Sequence, residues 1–123
     1  MNYLRIVDMT GCVSFLLLIL ISIIYFKKKS ILLKKLHTPL TAVCTLMLLL
    51  HFIYSFLIGS IQDIGFVVVF ASGVLAVAGF VASIFVIIQR KKRTNSGIKL
   101  HVVFSLITFV ITLIHIALSE MLL

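Results

Sequence analysis

Four stretches of the chain, 6–26, 36–58, 64–88 and 98–122, are almost unbroken in apolar side chains, and polar residues collect between them. Each stretch supplies the roughly 20 helical residues needed to cross a hydrocarbon core of about 30 Å. The connections are short: a basic turn over 26–35, a turn over 59–63 and a loop over 89–97. Short connections make successive helices antiparallel neighbours. The pattern predicts an all-α membrane protein, an up-down-up-down four-helix transmembrane bundle. In such a bundle the second and fourth helices run parallel to each other.

Composition agrees with this reading. Of 123 residues, 63% are hydrophobic and 11% are charged, too few charges to coat a soluble domain. The spans leave almost nothing over, so the chain reads as a single membrane domain. A formal net charge of +8 would suggest nucleic acid in a soluble protein. Here ten of the eleven basic residues fall in two places. Lys27, Lys28, Lys29, Lys34 and Lys35 lie between the first two spans, and Arg90, Lys91, Lys92, Arg93 and Lys99 between the last two. The positive-inside rule places both loops in the cytoplasm and both termini outside. The acidic residues Asp8, Asp63 and Glu120 all fall at the outer ends. The first span does not read as a cleavable signal, because its positive charges follow the apolar stretch instead of preceding it. Cys12 and Cys44 both lie within spans, no disulfide is expected, and there is no CxxCH for covalent haem attachment.

The two halves resemble each other. Lys35-Leu36-His37 recurs 64 residues later as Lys99-Leu100-His101, and the same offset carries His51 onto His115. The halves would be related by an axis along the membrane normal, a parallel repeat. All four histidines fall in the second and fourth spans, where ionisable groups are rare and usually functional. His37 and His51 are 14 residues apart, as are His101 and His115. That spacing is about 21 Å along a helix. It is also two heptads, so both members of a pair share one seam in a left-handed bundle. With parallel helices, His37 is expected to face His101 near the cytoplasmic side and His51 to face His115 nearer the outside.

Two imidazoles at one level are too few for a bare metal ion. Structural zinc takes four protein ligands and catalytic zinc three plus water. No Cys, Asp or Glu stands in register to complete such a set. A haem brings four nitrogens of its own and asks only for two axial ligands. Interhelical hydrogen bonding by the histidines is the plainer alternative. A proton relay is another, and steps of about 21 Å suit it poorly.

With this His-x13-His pair on its second and fourth helices, the chain resembles the four-helix di-haem core of membrane b-type cytochromes. These are the cytochrome b of quinol:cytochrome c oxidoreductases and the haem cores of ferric reductases and NADPH oxidases. The resemblance covers nearly the whole chain, but its specific content is the four histidines and some glycines. It implies two b-type haems with His37, His51, His101 and His115 as axial ligands. It also implies glycines beside the haems on the helices without ligands, where Gly11 and Gly73 stand near the level of His51 and His115. The flavin domains and further helices of those families have no counterpart here, so their substrates do not carry over.

Helix 3 adds Ser72, Ala76, Gly79 and Ser83, a small-residue face whose ordinary role is close helix packing. Lys34, Lys35 and Lys99 could meet inner haem propionates, although topology alone accounts for them. Arg5, Tyr3 and Gln62 form a sparser outer set. Pro39 lies two residues after His37. Either a helix capped by Ser30 runs through it with a kink, or the regular helix starts near Thr38.

The expected function is transmembrane electron transfer through two stacked bis-histidine haems, from a cytoplasmic or membrane donor to an outer-face acceptor. By the resemblance, quinone, a flavoprotein, ferric iron and superoxide are candidate partners, and the residues spell out no site for any of them. Glu120 and Gln62 are weak quinone or proton contacts, more simply read as interfacial polar residues. A haem-anchoring subunit of a larger complex is the second reading. A small four-helix transporter acting as a homodimer is the third, for which Asp8 is the only membrane acid available.

Overall fold

In a computed structural model the described residues are 3–26, 31–58, 63–89 and 95–122, excluding the side chains of 3–5, 25, 26, 33, 34 and 95. All of them except Asp63 are helical: α1 Tyr3–Phe26, α2 Ile31–Ile58, α3 Ile64–Gln89 and α4 Asn95–Leu122. At 1.5 Å per residue the helices are roughly 36–42 Å long, more than the hydrocarbon thickness. All four are long and apolar enough to cross a membrane. The chain is an integral membrane protein of the all-α class.

The helices extend past the apolar stretches. α2 begins at Ile31 instead of 36, α4 at Asn95 instead of 98, and α1 at Tyr3 instead of 6. Hydropathy marks the part of a helix in hydrocarbon, whereas backbone hydrogen bonding continues into the interface. There Lys35 and Lys99 remain exposed, as long charged side chains near helix ends do. α2 also runs without interruption through Pro39. Only one helical bond is lost there, because proline lacks the N–H that would reach the carbonyl of Lys35. A start near Thr38 is therefore excluded, and the Ser30 cap lies outside the described residues.

The chain divides into two compact units, 1–59 and 60–123. Each is a hairpin, with α1 packed along α2 and α3 along α4. In the first, residues 7 and 14 of α1 meet 51 and 44 of α2, a descending match that makes the pair antiparallel. Its centre is Ser14 and Cys44, 2% and 0% exposed. The Cys44 thiol points at the Ser14 carbonyl, 3.6 Å away. In the second, Val69, Ala76, Phe80 and Ser83 of α3 are buried, as is Thr108 of α4. Asp63 caps α3, its Oδ1 accepting the Gly65 N–H at 2.8 Å and its carbonyl the Val67 N–H at 3.0 Å. Hydroxyls within the spans, such as Thr41, Thr45 and Thr112, donate to carbonyls one turn back, so none needs water.

Gly79 sits where Thr108 crosses α3. A Cβ added there would lie 2.6 Å from Thr108 Oγ1, whose hydroxyl is already committed to Phe104 O at 2.8 Å. Alanine at 79 gains helix propensity of about 1 kcal/mol but overpacks a buried contact, at a cost of roughly 1–3 kcal/mol. Gly79→Ala should therefore lower the thermal midpoint in detergent. Adding Thr108→Ala should restore it, which a double-mutant cycle would measure.

Candidate functional site

The site is built from the histidines upward, hairpin by hairpin. In the first hairpin, His51 of α2 leans onto α1. Its Nδ1 lies 3.0 Å from the Val7 carbonyl. A carbonyl oxygen can only accept, so Nδ1 carries the proton and donates it there. The ring lies against the backbone at Gly11, where a Cβ would come within 2.9 Å of His51 Cε1 and 3.1 Å of Nδ1. A side chain at that point would meet the ring, which would have to shift, and a large one would take its place.

The second hairpin repeats this construction. His115 of α4 donates from Nδ1 to the Val69 carbonyl of α3 at 3.0 Å. Its ring lies against Gly73, where a Cβ would be 3.0 Å from Cε1. Ser72 Oγ donates to the same carbonyl at 2.7 Å and stands 3.0 Å from His115 Nδ1. With its own proton directed at Val69, Ser72 Oγ is a second acceptor for the imidazole N–H.

His101 is held by a closed ring of bonds. Ser105 Oγ donates to the His101 carbonyl at 2.8 Å. Its proton spent, Ser105 Oγ accepts from Ser83 Oγ at 2.9 Å. Ser83 then offers two acceptors to the His101 Nδ1–H, its carbonyl at 2.8 Å and its Oγ at 3.0 Å. Every proton in the ring has one consistent place, and it puts the imidazole proton on Nδ1. His101 and His115 thus both lean on α3, on one seam.

Three of the four imidazoles therefore carry Nδ1–H bonded to protein and keep the Nε2 lone pair. That is the state of a metal-ligating histidine, whose other nitrogen is fixed by a hydrogen bond. His37 is half-buried in the early turns of α2, and Thr41 Oγ1 donates to its carbonyl at 2.7 Å. Lys35 and Lys99 stand two residues before His37 and His101, exposed. Among the described residues no three His, Cys, Asp or Glu side chains cluster as donors for a bare ion. Gln62 and the side chains of Tyr3, Arg5 and Lys34 lie outside the described residues, and Glu120 is exposed near the end of α4.

Gly11 and Gly73 were expected to leave room for a haem edge. In the structure each gives that room to the imidazole of its own hairpin. The small face of α3 divides between two roles. Ala76 is buried and Gly79 packs against Thr108 of α4, whereas Ser72 and Ser83 bond to histidine rings, which sequence reasoning missed. One signal was present: every histidine has a hydroxyl four residues on, at Thr41, Ser55, Ser105 and Ser119. Another was an offset of 62 residues that carries Val7, Thr10 and Gly11 onto Val69, Ser72 and Gly73.

Set against protein-family models, curated proteins and solved structures, the chain matches none of them. The functional reading rests on the residues and their geometry.

Proposed function

We propose that this chain is a transmembrane electron-transfer cytochrome that holds two b-type haems without a covalent link. His37 and His101 are the axial ligands of one haem, and His51 and His115 of the other. One observation carries the reading: Nδ1 of His51, His101 and His115 each lies within 3.0 Å of a backbone carbonyl, which can only accept, so the imidazole proton sits on Nδ1 and Nε2 is the unprotonated nitrogen.

A bis-histidine haem supplies a one-electron couple with no open coordination position, which suits electron transfer better than oxygen binding. The chain's own residues do the rest. Val7, Val69 and Ser83 orient the rings, Gly11 and Gly73 admit them, and the apolar spans exclude water. Lys35 and Lys99 provide positive charge where propionates of the His37/His101 haem would end. With both basic loops taken as cytoplasmic, the 14-residue spacing of the ligands would set the two haems at different depths, about 21 Å apart along the helices. The bilayer is the standing partner. A quinone or a flavoprotein is the donor class the resemblance suggests, and a homodimer or a larger complex is compatible with so small a chain.

Flux across a sealed vesicle tests this function. Proteoliposomes of the haem-loaded protein with ferricyanide trapped inside should bleach when dithionite is added outside. With His51→Ala the rate should fall to that of protein-free vesicles. A haem-loaded wild type no faster than empty vesicles would replace electron transfer with the role of a haem-anchoring subunit.

A further inference from the structure

The two hairpins hold their imidazoles differently. In the second, each histidine ring has a serine hydroxyl beside its Nδ1: Ser72 at His115 and Ser83 at His101, both at 3.0 Å. In the first, the equivalent positions are Thr10 and Ile21. The Thr10 hydroxyl donates to the carbonyls of Ile6 at 2.8 Å and Val7 at 3.0 Å. Ile21 has no hydroxyl to offer.

Both serines spend their own proton elsewhere, on the Val69 carbonyl and on Ser105 Oγ. Each therefore meets the imidazole as an acceptor. A second acceptor on the N–H shifts electron density into the ring and makes Nε2 the stronger donor to a metal. A stronger axial donor favours the ferric over the ferrous state, and second-shell hydrogen bonding is one of the levers on haem potential.

The geometry points to Ser72 and Ser83 as positioning residues that act through His115 and His101, each lowering the reduction potential of a different haem. This rests on the cytochrome reading for its redox part and on the hydrogen bonds alone for its effect on the rings. Neither serine is an axial ligand in the proposed assignment. Alanine at either position is smaller and favours a helix.

Two readouts on the full chain test the assignment. In haem-free protein labelled with 15N-histidine, Ser83→Ala should move the Nδ1 resonance of His101 and leave His115 in place. Ser72→Ala should do the reverse. In haem-loaded protein a redox titration should show one of the two midpoint potentials raised in each variant, and not the same one. Ring resonances and potentials left at wild-type values in both alanine variants would overturn the assignment. If the wild type takes up no haem, the cytochrome reading falls, and the ring nitrogens still decide whether the serines position the imidazoles.

Discussion

Purified His115→Ala protein should carry one haem per chain instead of two, with the remaining haem spectrally intact. Axial coordination holds a non-covalent haem through two bonds, and removing one ligand opens the iron and speeds its loss. The second haem should persist because His101 is fixed by its own ring of Ser83 and Ser105 bonds, independent of His115. The repeat makes the expectation sharper. His51→Ala should deplete the same haem as His115→Ala, and His37→Ala the same one as His101→Ala. Haem content and reduced-minus-oxidised spectra of the four variants check the pairing. Depletion of one shared haem by His51→Ala and His37→Ala would show that the ligand sets are assigned wrongly.

Gly11→Leu is expected to copy His51→Ala without touching a ligand. The space at Gly11 belongs to the His51 ring, within 2.9 Å of where a Cβ would stand. The ring cannot retreat cheaply, because its Nδ1–H is bonded to Val7 O at 3.0 Å, one turn away on the same helix. A leucine therefore breaks that bond, worth roughly 0.5–1.5 kcal/mol, and turns Nε2 away from its place. Gly73→Leu should act in the same way through His115. Gly11→Ala should be milder, since gained helix propensity of about 1 kcal/mol offsets part of the crowding. Measuring haem content beside the amount of membrane-inserted protein separates ligand displacement from misfolding. A Gly11→Leu protein with full haem content would show that the ring is not held where the structure places it.

The spans were legible because lipid imposes one rule on a long stretch: backbone groups bond internally and side chains stay apolar. Fourteen residues bring a helix back to the same side, and in the second hairpin His101 and His115 both bond to α3. The partners of the rings were harder to read. The acceptors are largely carbonyls of Val7, Val69 and Ser83, and a carbonyl leaves no mark in a sequence. Ser72 and Ser83 did leave a mark, but small polar residues on a transmembrane helix look the same whether they pack or bond. The repeat was also partly hidden, since the offset is 62 residues between α1 and α3 but 64 between α2 and α4. A search at one fixed offset finds the histidines and loses the glycines. Pro39 left two helix starts open, and only the continuous backbone of α2 chose between them.

The haem content of the wild-type protein decides whether the chain is a di-haem cytochrome. Expressed with adequate haem supply, extracted in mild detergent and assayed as the pyridine haemochrome, the protein should yield close to two b-type haems per chain, with a low-spin spectrum on reduction. A folded, colourless protein that takes up no added haemin would contradict the account.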